Sequence, residues 1–221
     1  MKAEEFDRAL AESRLSLCMI GMSNCGKSFR STQFHKERGF QLTCIDGLIE
    51  ERLGPELTAL GYAGIEGLAT WMGQPYEQQF PANQARYLEC EEELTMSSLP
   101  TPGQNFVLDT TGSVINLKAP EKLRESFLVV HIQASEDMLE GMVKTYFACP
   151  KPVAWGDAFN QQPGESGEAA LRRCYPELLR SRIEKYSKLA HVNVPAKIAL
   201  GRDISCEQFL QAVRDALKAQ E

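Results

Sequence analysis

The chain has 221 residues and a formal net charge of −6, and its seven cysteines are scattered, with no C-x-x-C pair. That length suits a single α/β domain with insertions, residues 1–221, and is slightly short for two independent domains. The acidic balance, without a lysine- or arginine-rich run, argues against nucleic acid or an acidic membrane surface as principal partner, and the cysteine pattern argues against a disulfide framework or a zinc site.

Residues 1–8 are too acidic to read as a signal or transit peptide, and no apolar run reaches the length of a membrane span, so a cytoplasmic protein with reduced thiols is expected. Residues 3–13 carry Phe6 and Leu10 at helical spacing and read as a short packing helix. The apolar run 15–20 then leads into Gly21-Met22-Ser23-Asn24-Cys25-Gly26-Lys27-Ser28, a G-x-x-x-x-G-K-S phosphate-binding loop. A buried strand feeding a glycine turn that opens a helix lets the amides from about Asn24 to Ser28 converge on phosphate oxygens. Lys27 is expected on the β- and γ-phosphates and Ser28 on the Mg²⁺ that bridges them, which makes ATP and Mg²⁺ the expected cofactors. Gly21, Ser23, Asn24, Cys25, Gly26, Lys27, Ser28 and Phe29 form the expected nucleotide site.

A helix over 28–38, ended by Gly39, precedes a strand over 40–45 that delivers Asp46 at its carboxyl end, where open parallel sheets place ligands. Asp46 suits a site role or the N-cap of a helix starting near Leu48, and the two are compatible. Residues 54–74 are broken by Gly54-Pro55, Gly61, Gly64, Gly67 and Gly73 and read as short helices able to shift as a unit. Over 75–99 a longer helix carries the acidic run 89–93, read as a solvated face, and Arg86, which suits either the surface or an anion in the cleft.

The strand 105–108 ends in Asp109-Thr110-Thr111-Gly112. A carboxylate closing an apolar strand fits the Walker-B role of holding the metal's water shell; an Asx turn is the alternative. A strand over 126–132 and a helix over 135–147 follow. His131 reads as a core or edge histidine rather than a catalyst, as do His35 and His191.

Three prolines with glycines make 147–165 a candidate lid, in which Lys151 is either the cation over the transferring phosphoryl group or a solvated lysine. Lys144, Arg172 and Arg173 could fill the same role. Helical spacing resumes from Leu171 to Leu189, with Pro176 read as the first turn of a new helix and Arg182 between apolar positions. A fifth strand over 191–194 is followed by Pro195, which begins a loop of the kind that flanks an adenine, and an amphipathic helix over 204–217 closes the chain.

Strand, phosphate loop, helix, strand and Asp46-Gly47-Leu48-Ile49-Glu50 together resemble the shikimate kinase family, a branch of the nucleoside-monophosphate-kinase-like P-loop fold, over most of residues 14–195. Asp46 to Glu50 is similar to the family's D-x-x-I-E, whose aspartate contacts substrate hydroxyls and assists removal of the attacking proton. Arg86 in Ala85-Arg86-Tyr87-Leu88-Glu89 resembles the arginine of F-R-x-x-E, which holds the substrate carboxylate. Arg182, with Leu179, Tyr186 and Ala190, resembles the second carboxylate ligand, and Pro195 falls where family members pass the adenine.

The resemblance implies a three-layer α/β P-loop fold, with a five-stranded parallel sheet and helices on both faces. Its core is expected at about 14–53, 104–146 and 166–221, a substrate-binding helical region at about 54–103 and the lid at about 147–165. It further implies γ-phosphoryl transfer from ATP to a hydroxyl of a small anionic acceptor, shikimate or a related acid, by a monomer or weak homodimer.

Three positions depart from the family pattern. Cys44 replaces the first aspartate of D-x-D, Thr110-Thr111-Gly112 replaces a triple glycine, and Lys151-Pro152-Val153 replaces an arginine-proline-leucine-leucine lid motif. Side chains at Thr110 and Thr111 are expected to change the acceptor pocket. The alternative reading is a nucleotide-binding regulatory protein that has lost phosphoryl transfer.

Overall fold

The computed structural model describes residues 1–149 and 151–221; Pro150, inside the expected lid, lies outside the described residues. α1 (Ala3–Ala11) and β1 (Ser16–Ile20) precede the phosphate loop, which opens α2 (Lys27–Arg38). β2 (Gln41–Cys44), α3 (Ile45–Ala59), α4 (Gly64–Met72) and α5 (Phe80–Ser97) follow, then β3 (Phe106–Asp109), a short α6 (Leu123–Ser126), β4 (Leu128–Gln133) and α7 (Glu136–Ala148). α8 (Gly167–Leu189), β5 (Val192–Pro195), α9 (Ala196–Leu200) and α10 (Cys206–Lys218) come last.

Among the described residues the five strands form one parallel sheet in the order β2-β3-β1-β4-β5, with helices on both faces, as expected. β1 is central. Leu17, Cys18, Met19 and Ile20 are all fully buried, which is why this strand reads as an unbroken apolar run rather than an alternation. At the outer edge β5 does alternate, with Val192 and Val194 inward and Asn193 outward. α2 packs on β1, β2 and β3, and Phe34 from it stacks on Phe40 at 5.2 Å and meets Phe209 of α10 at 5.8 Å. No described helix is long and apolar enough to cross a membrane.

Two helices run through prolines that the sequence reading takes as boundaries. α3 starts at Ile45, so Asp46 stands in its first turn, and it continues past Gly54 and Pro55 to Ala59. α8 is continuous through Pro176. A proline in a helix interior costs about 3 kcal/mol, whereas each fully buried leucine or isoleucine stabilises by roughly 1.5–3 kcal/mol. Ile45, Ile49, Leu53 and Leu57 all face inward on α3, and Leu171, Leu178 and Leu179 do so on α8. Burial therefore outweighs the proline penalty in both. Pro195 is also placed differently from expectation: it ends β5 and caps the short helix α9 instead of opening a loop.

Candidate active site

The carboxyl ends of β1 and β3 and the start of α2 surround the phosphate loop. Gly21 has φ +138°, and a β-carbon there would lie 2.7 Å from the Ile132 carbonyl oxygen. Gly26, at φ +97°, packs against Ala199, whose carbonyl oxygen would stand 3.0 Å from an added β-carbon. Both positions therefore require glycine. Asn24 adopts the left-handed region at φ +63°, which asparagine tolerates better than most residues. Lys27 is buried and its Nζ donates to the Met22 carbonyl at 3.0 Å, closing the loop on itself. Ser23, Asn24, Lys27, Ser28 and Phe29 open onto a cavity of about 410 Å³ above the start of α2. The Cys25 side chain is turned into the core, and burial pushes its thiol pKa up, so its amide is what it offers a ligand.

Asp109 closes β3 beside this loop, and its register partner on β2 is Cys44. Burial raises the Asp109 pKa, while Lys27 and the Ser28 hydroxyl act against that rise. Its Oδ1 is buried and has no hydrogen-bond partner among the described residues. A buried orphan carboxylate oxygen beside an exposed serine hydroxyl fits Mg²⁺, which is usually held by one or two protein oxygens together with phosphates and water. Among the described residues no group of three or more His, Cys, Asp or Glu is placed to hold a metal ion. Asp46 opens onto the cleft, where the surrounding protein desolvates its carboxylate and raises its pKa; Lys27 and Lys151 act in the opposite sense. Burial keeps the Cys44 thiol protonated, and the two nearby carboxylates reinforce this.

A second cavity of about 330 Å³ adjoins the first and shares Ser23, Asn24, Asp46 and Lys151 with it. Arg182 of α8 projects into it. Its Nη2 donates to the Ala154 carbonyl at 2.6 Å, and its buried Nε has no partner among the described residues. Tyr87, Tyr146 and Tyr175 form an aromatic wall, the last two stacked at 4.1 Å. In the segment between α7 and α8, the Trp155 amide donates to Gln84 Oε1 at 2.6 Å and the Trp155 ring packs against Tyr175. Lys151 Nζ donates to Asn24 Oδ1 at 3.4 Å, which stands it over the phosphate loop.

The loop after β3 forms another part of this wall. Thr111, Gly112 and Ser113 line the cavity; Thr110 does not, because its hydroxyl is turned into the sheet and donates to the Met19 carbonyl at 2.8 Å. Tyr186 donates to the Gly112 carbonyl. Behind the loop stands Glu91, fully buried, accepting from Thr111 Oγ1 and Ser113 Oγ at 2.5 Å each. Burial raises its pKa to about 7.

The structure thus brings Lys27, Ser28, Asp46, Asp109, Lys151, Thr111, Gly112 and Arg182 around two joined cavities. Arg86 is not among them: it is half-exposed on the outer side of α5, near Glu56 and Glu89 at 3.9 and 3.6 Å. Pro195 lines neither cavity, whereas Leu200, four residues beyond α9's first residue, lines the cavity over the phosphate loop. His131 is a core histidine, its Nδ1 2.8 Å from Asn193 Oδ1 and its pKa lowered to about 4 by burial. The acidic run is not uniformly solvated, since Glu91 is buried while Glu89 and Glu93 are exposed. A signal for this was present: Tyr87, Cys90, Glu91 and Thr95 follow helical spacing, and all four are buried on one face of α5.

The fold is that of the P-loop NTPases in its shikimate kinase-like form. Among solved structures, the chain is similar to shikimate kinase from Bacteroides thetaiotaomicron, with 16% identity, 92% of this chain and 98% of that chain covered, and a TM-score of 0.57. Shikimate kinase from Acinetobacter baumannii in complex with shikimate matches at 17% identity, covering 96% and 97%, with a TM-score of 0.57. The Aquifex aeolicus enzyme matches at 13%, covering 93% and 98%, with a TM-score of 0.52. No protein-family model matches the chain. No curated protein matches it in sequence.

Proposed function

We propose that this protein is an ATP-dependent kinase of a small hydroxylated compound. The observation that carries the reading is the junction of the two cavities: one lies over the phosphate loop, the other is closed by Arg182 and the β3 loop, and Asp46 and Lys151 line both. A phosphoryl donor in the first and an acceptor hydroxyl in the second would meet there, held in the orientation that in-line transfer needs.

Bound Mg·ATP would supply the phosphoryl group and the cation that neutralises its charge. The chain's own part is positioning and electrostatics. The loop amides and Lys27 hold the phosphates, and Ser28 and Asp109 hold Mg²⁺. Asp46 orients the acceptor hydroxyl and takes its proton as the new O–P bond forms and the bond from the γ-phosphorus to ADP breaks, ADP being the leaving group. Lys151 places a positive charge over the transferring group, and the Trp155 segment excludes water. Arg182 takes an acidic group of the acceptor; with Arg86 outside the cavity, the pair of arginines expected for a carboxylate is reduced to this single one. Shikimate, the ligand of the Acinetobacter baumannii structure, is the first acceptor to test. In this reading residues 54–103 are the acceptor-side region and 147–165 the lid, and the reaction belongs in a reducing, ATP-containing compartment such as the cytoplasm.

The test is ADP release from Mg·ATP with and without shikimate and other hydroxylated rings, with Lys27→Ala as control. Acceptor-stimulated release that vanishes in the control supports the kinase. Nucleotide binding without stimulation by any acceptor would favour a binding or regulatory protein instead.

A further inference from the structure

Buried Glu91 stands behind Thr111 and Ser113, whose hydroxyls form the polar floor of the acceptor cavity. Thr111 Oγ1 donates to Glu91 Oε1 and Ser113 Oγ donates to Glu91 Oε2, both at 2.5 Å, so each hydroxyl's one proton is committed to the carboxylate. Thr111 Oγ1 also accepts the Ser113 amide at 3.0 Å. The two hydroxyl oxygens also lie 2.9 Å apart, and the Tyr87 hydroxyl neighbours both, so what they offer the cavity is the lone pairs that these contacts leave free. A floor of lone pairs above a buried carboxylate takes hydrogen-bond donors and rejects groups that only accept.

The surrounding charge agrees. Lys151 and Arg182 face Asp46 and Glu50 around the same cavity, so its lining is balanced rather than cationic. Such a site does not select a multiply charged anion.

We propose that Glu91 is a positioning residue that fixes the direction of the Thr111 and Ser113 hydroxyls, and that it thereby makes this wall of the cavity prefer an acceptor group that donates a hydrogen bond over one that only accepts. This rests on the small-molecule reading of the cavity and names the residue that sets its hydrogen-bond polarity. The groups that face Glu91 are Tyr87 and Cys90 on its own helix, Thr111 and Ser113 on the β3 loop, Asp46 from α3, and Arg182 and Tyr186 from α8. Asp46 favours the protonated form of Glu91 and Arg182 the charged form; burial is the largest influence and brings the carboxyl to about 7. Once protonated, Glu91 donates to one hydroxyl, which frees that hydroxyl's proton and lowers the accepting capacity of the floor. Selection for donors is therefore strong above pH 7 and weak below it.

The experiment is calorimetric binding to the full-length protein loaded with Mg·ADP, using three matched pairs: shikimate, quinate and myo-inositol, each against the same ring with one hydroxyl oxidised to a ketone. At pH 8 at least one alcohol should bind about 10-fold more tightly than its ketone. That ratio should fall to about 2-fold or less at pH 6, and should be low at both pH values in Glu91→Gln, whose amide donates to one hydroxyl as protonated Glu91 does. Thr111→Val combined with Ser113→Ala removes the floor without touching Glu91 and should abolish the preference too, so the test survives if either variant fails to fold. A ratio that ignores both pH and these substitutions overturns the proposal, as does absence of binding by all six compounds. Polyol binding with the expected pattern but no ADP release from Mg·ATP would keep this inference and remove the kinase reading. Acceptor-stimulated ADP release with a pH-independent alcohol-to-ketone ratio would do the reverse.

Discussion

Cys44 and Asp109 are register partners at the carboxyl ends of the adjacent parallel strands β2 and β3. Where the family resemblance leads one to expect an aspartate on β2, the chain has a thiol, and the carboxylate stands one strand over, beside Lys27 and Ser28. The charge near the expected Mg²⁺ site is thus retained while its strand of origin changes. Asp109→Asn should lower Mg²⁺-dependent turnover by about 100-fold or more, the range seen when a transition-state electrostatic contact is lost. Adding Cys44→Asp should recover part of that loss, because it returns a carboxylate to the neighbouring position. ADP release measured across a Mg²⁺ titration in the single and double variants checks this. Full activity in Asp109→Asn would remove Asp109 from the metal site.

Arg30 is fully buried and is met by carbonyl dipoles: Nε donates to Ala199 at 2.8 Å, Nη1 to Ile204 at 2.7 Å, and Nη2 to Ile198 at 2.8 Å and Gly201 at 2.6 Å. It ties α9 and the turn after it to the helix that the phosphate loop opens. Phe29 and Leu200, both partly exposed on the cavity over the phosphate loop, flank this tie. Arg30→Met leaves four carbonyls without their donor and should cost about 3–5 kcal/mol in a urea melt. Arg30→Lys keeps the charge but reaches fewer oxygens, and should weaken ADP binding by about 10-fold. Unchanged ADP affinity in a folded Arg30→Lys protein would detach α9 from the nucleotide site.

The parts of the fold set by local chemistry were legible in the sequence. β1, the phosphate loop, β3 with its terminal Asp109, and the amphipathic α10 each carry a signal within a few residues, either an apolar run or a motif with fixed geometry. Two kinds of feature were not. α3 and α8 run through Pro55 and Pro176 because distant packing outweighs a local penalty, and no local rule contains that sum. Arg86 and Glu91 exchange their expected places on α5, the arginine facing outward and the glutamate inward. Net charge along the run 89–93 suggests a solvated face, but the 3.6-residue period ties Glu91 to Tyr87 and Thr95. A buried acid becomes tolerable only because Thr111 and Ser113, 20 and 22 residues away in sequence, donate to both of its oxygens.

Gly21 and Gly39 both have positive φ, yet they should respond differently to a methyl group. At Gly39 a β-carbon meets open space, so Gly39→Ala bears only the left-handed backbone penalty, about 1–2 kcal/mol. At Gly21 the same β-carbon would stand 2.7 Å from the Ile132 carbonyl oxygen, a backbone atom fixed in the sheet. Gly21→Ala should therefore cost about 3 kcal/mol or more and abolish nucleotide binding, while Gly39→Ala should bind nucleotide normally. Thermal melts with and without Mg·ADP separate the two, and equal ligand-induced stabilisation in both variants would contradict the close approach at Gly21.

Glu91 and His131 should bend the pH dependence of stability in opposite directions. Burial lifts Glu91 from 4.5 to about 7, so between those values the folded chain holds a proton that the unfolded chain has released, and stability declines as pH rises through that window. Burial lowers His131 from 6.5 to about 4, so between those values the unfolded chain takes up a proton that the folded chain does not, and stability declines as pH falls. Each shift corresponds to something on the order of 3 kcal/mol. Glu91→Gln should remove the loss on the alkaline side and be at least as stable as the parent at pH 8, while His131→Gln should flatten the acid limb between pH 6.5 and 4. Urea unfolding from pH 4 to 8 reads both slopes, and a parent-like rise or fall in either variant would assign that limb to other groups.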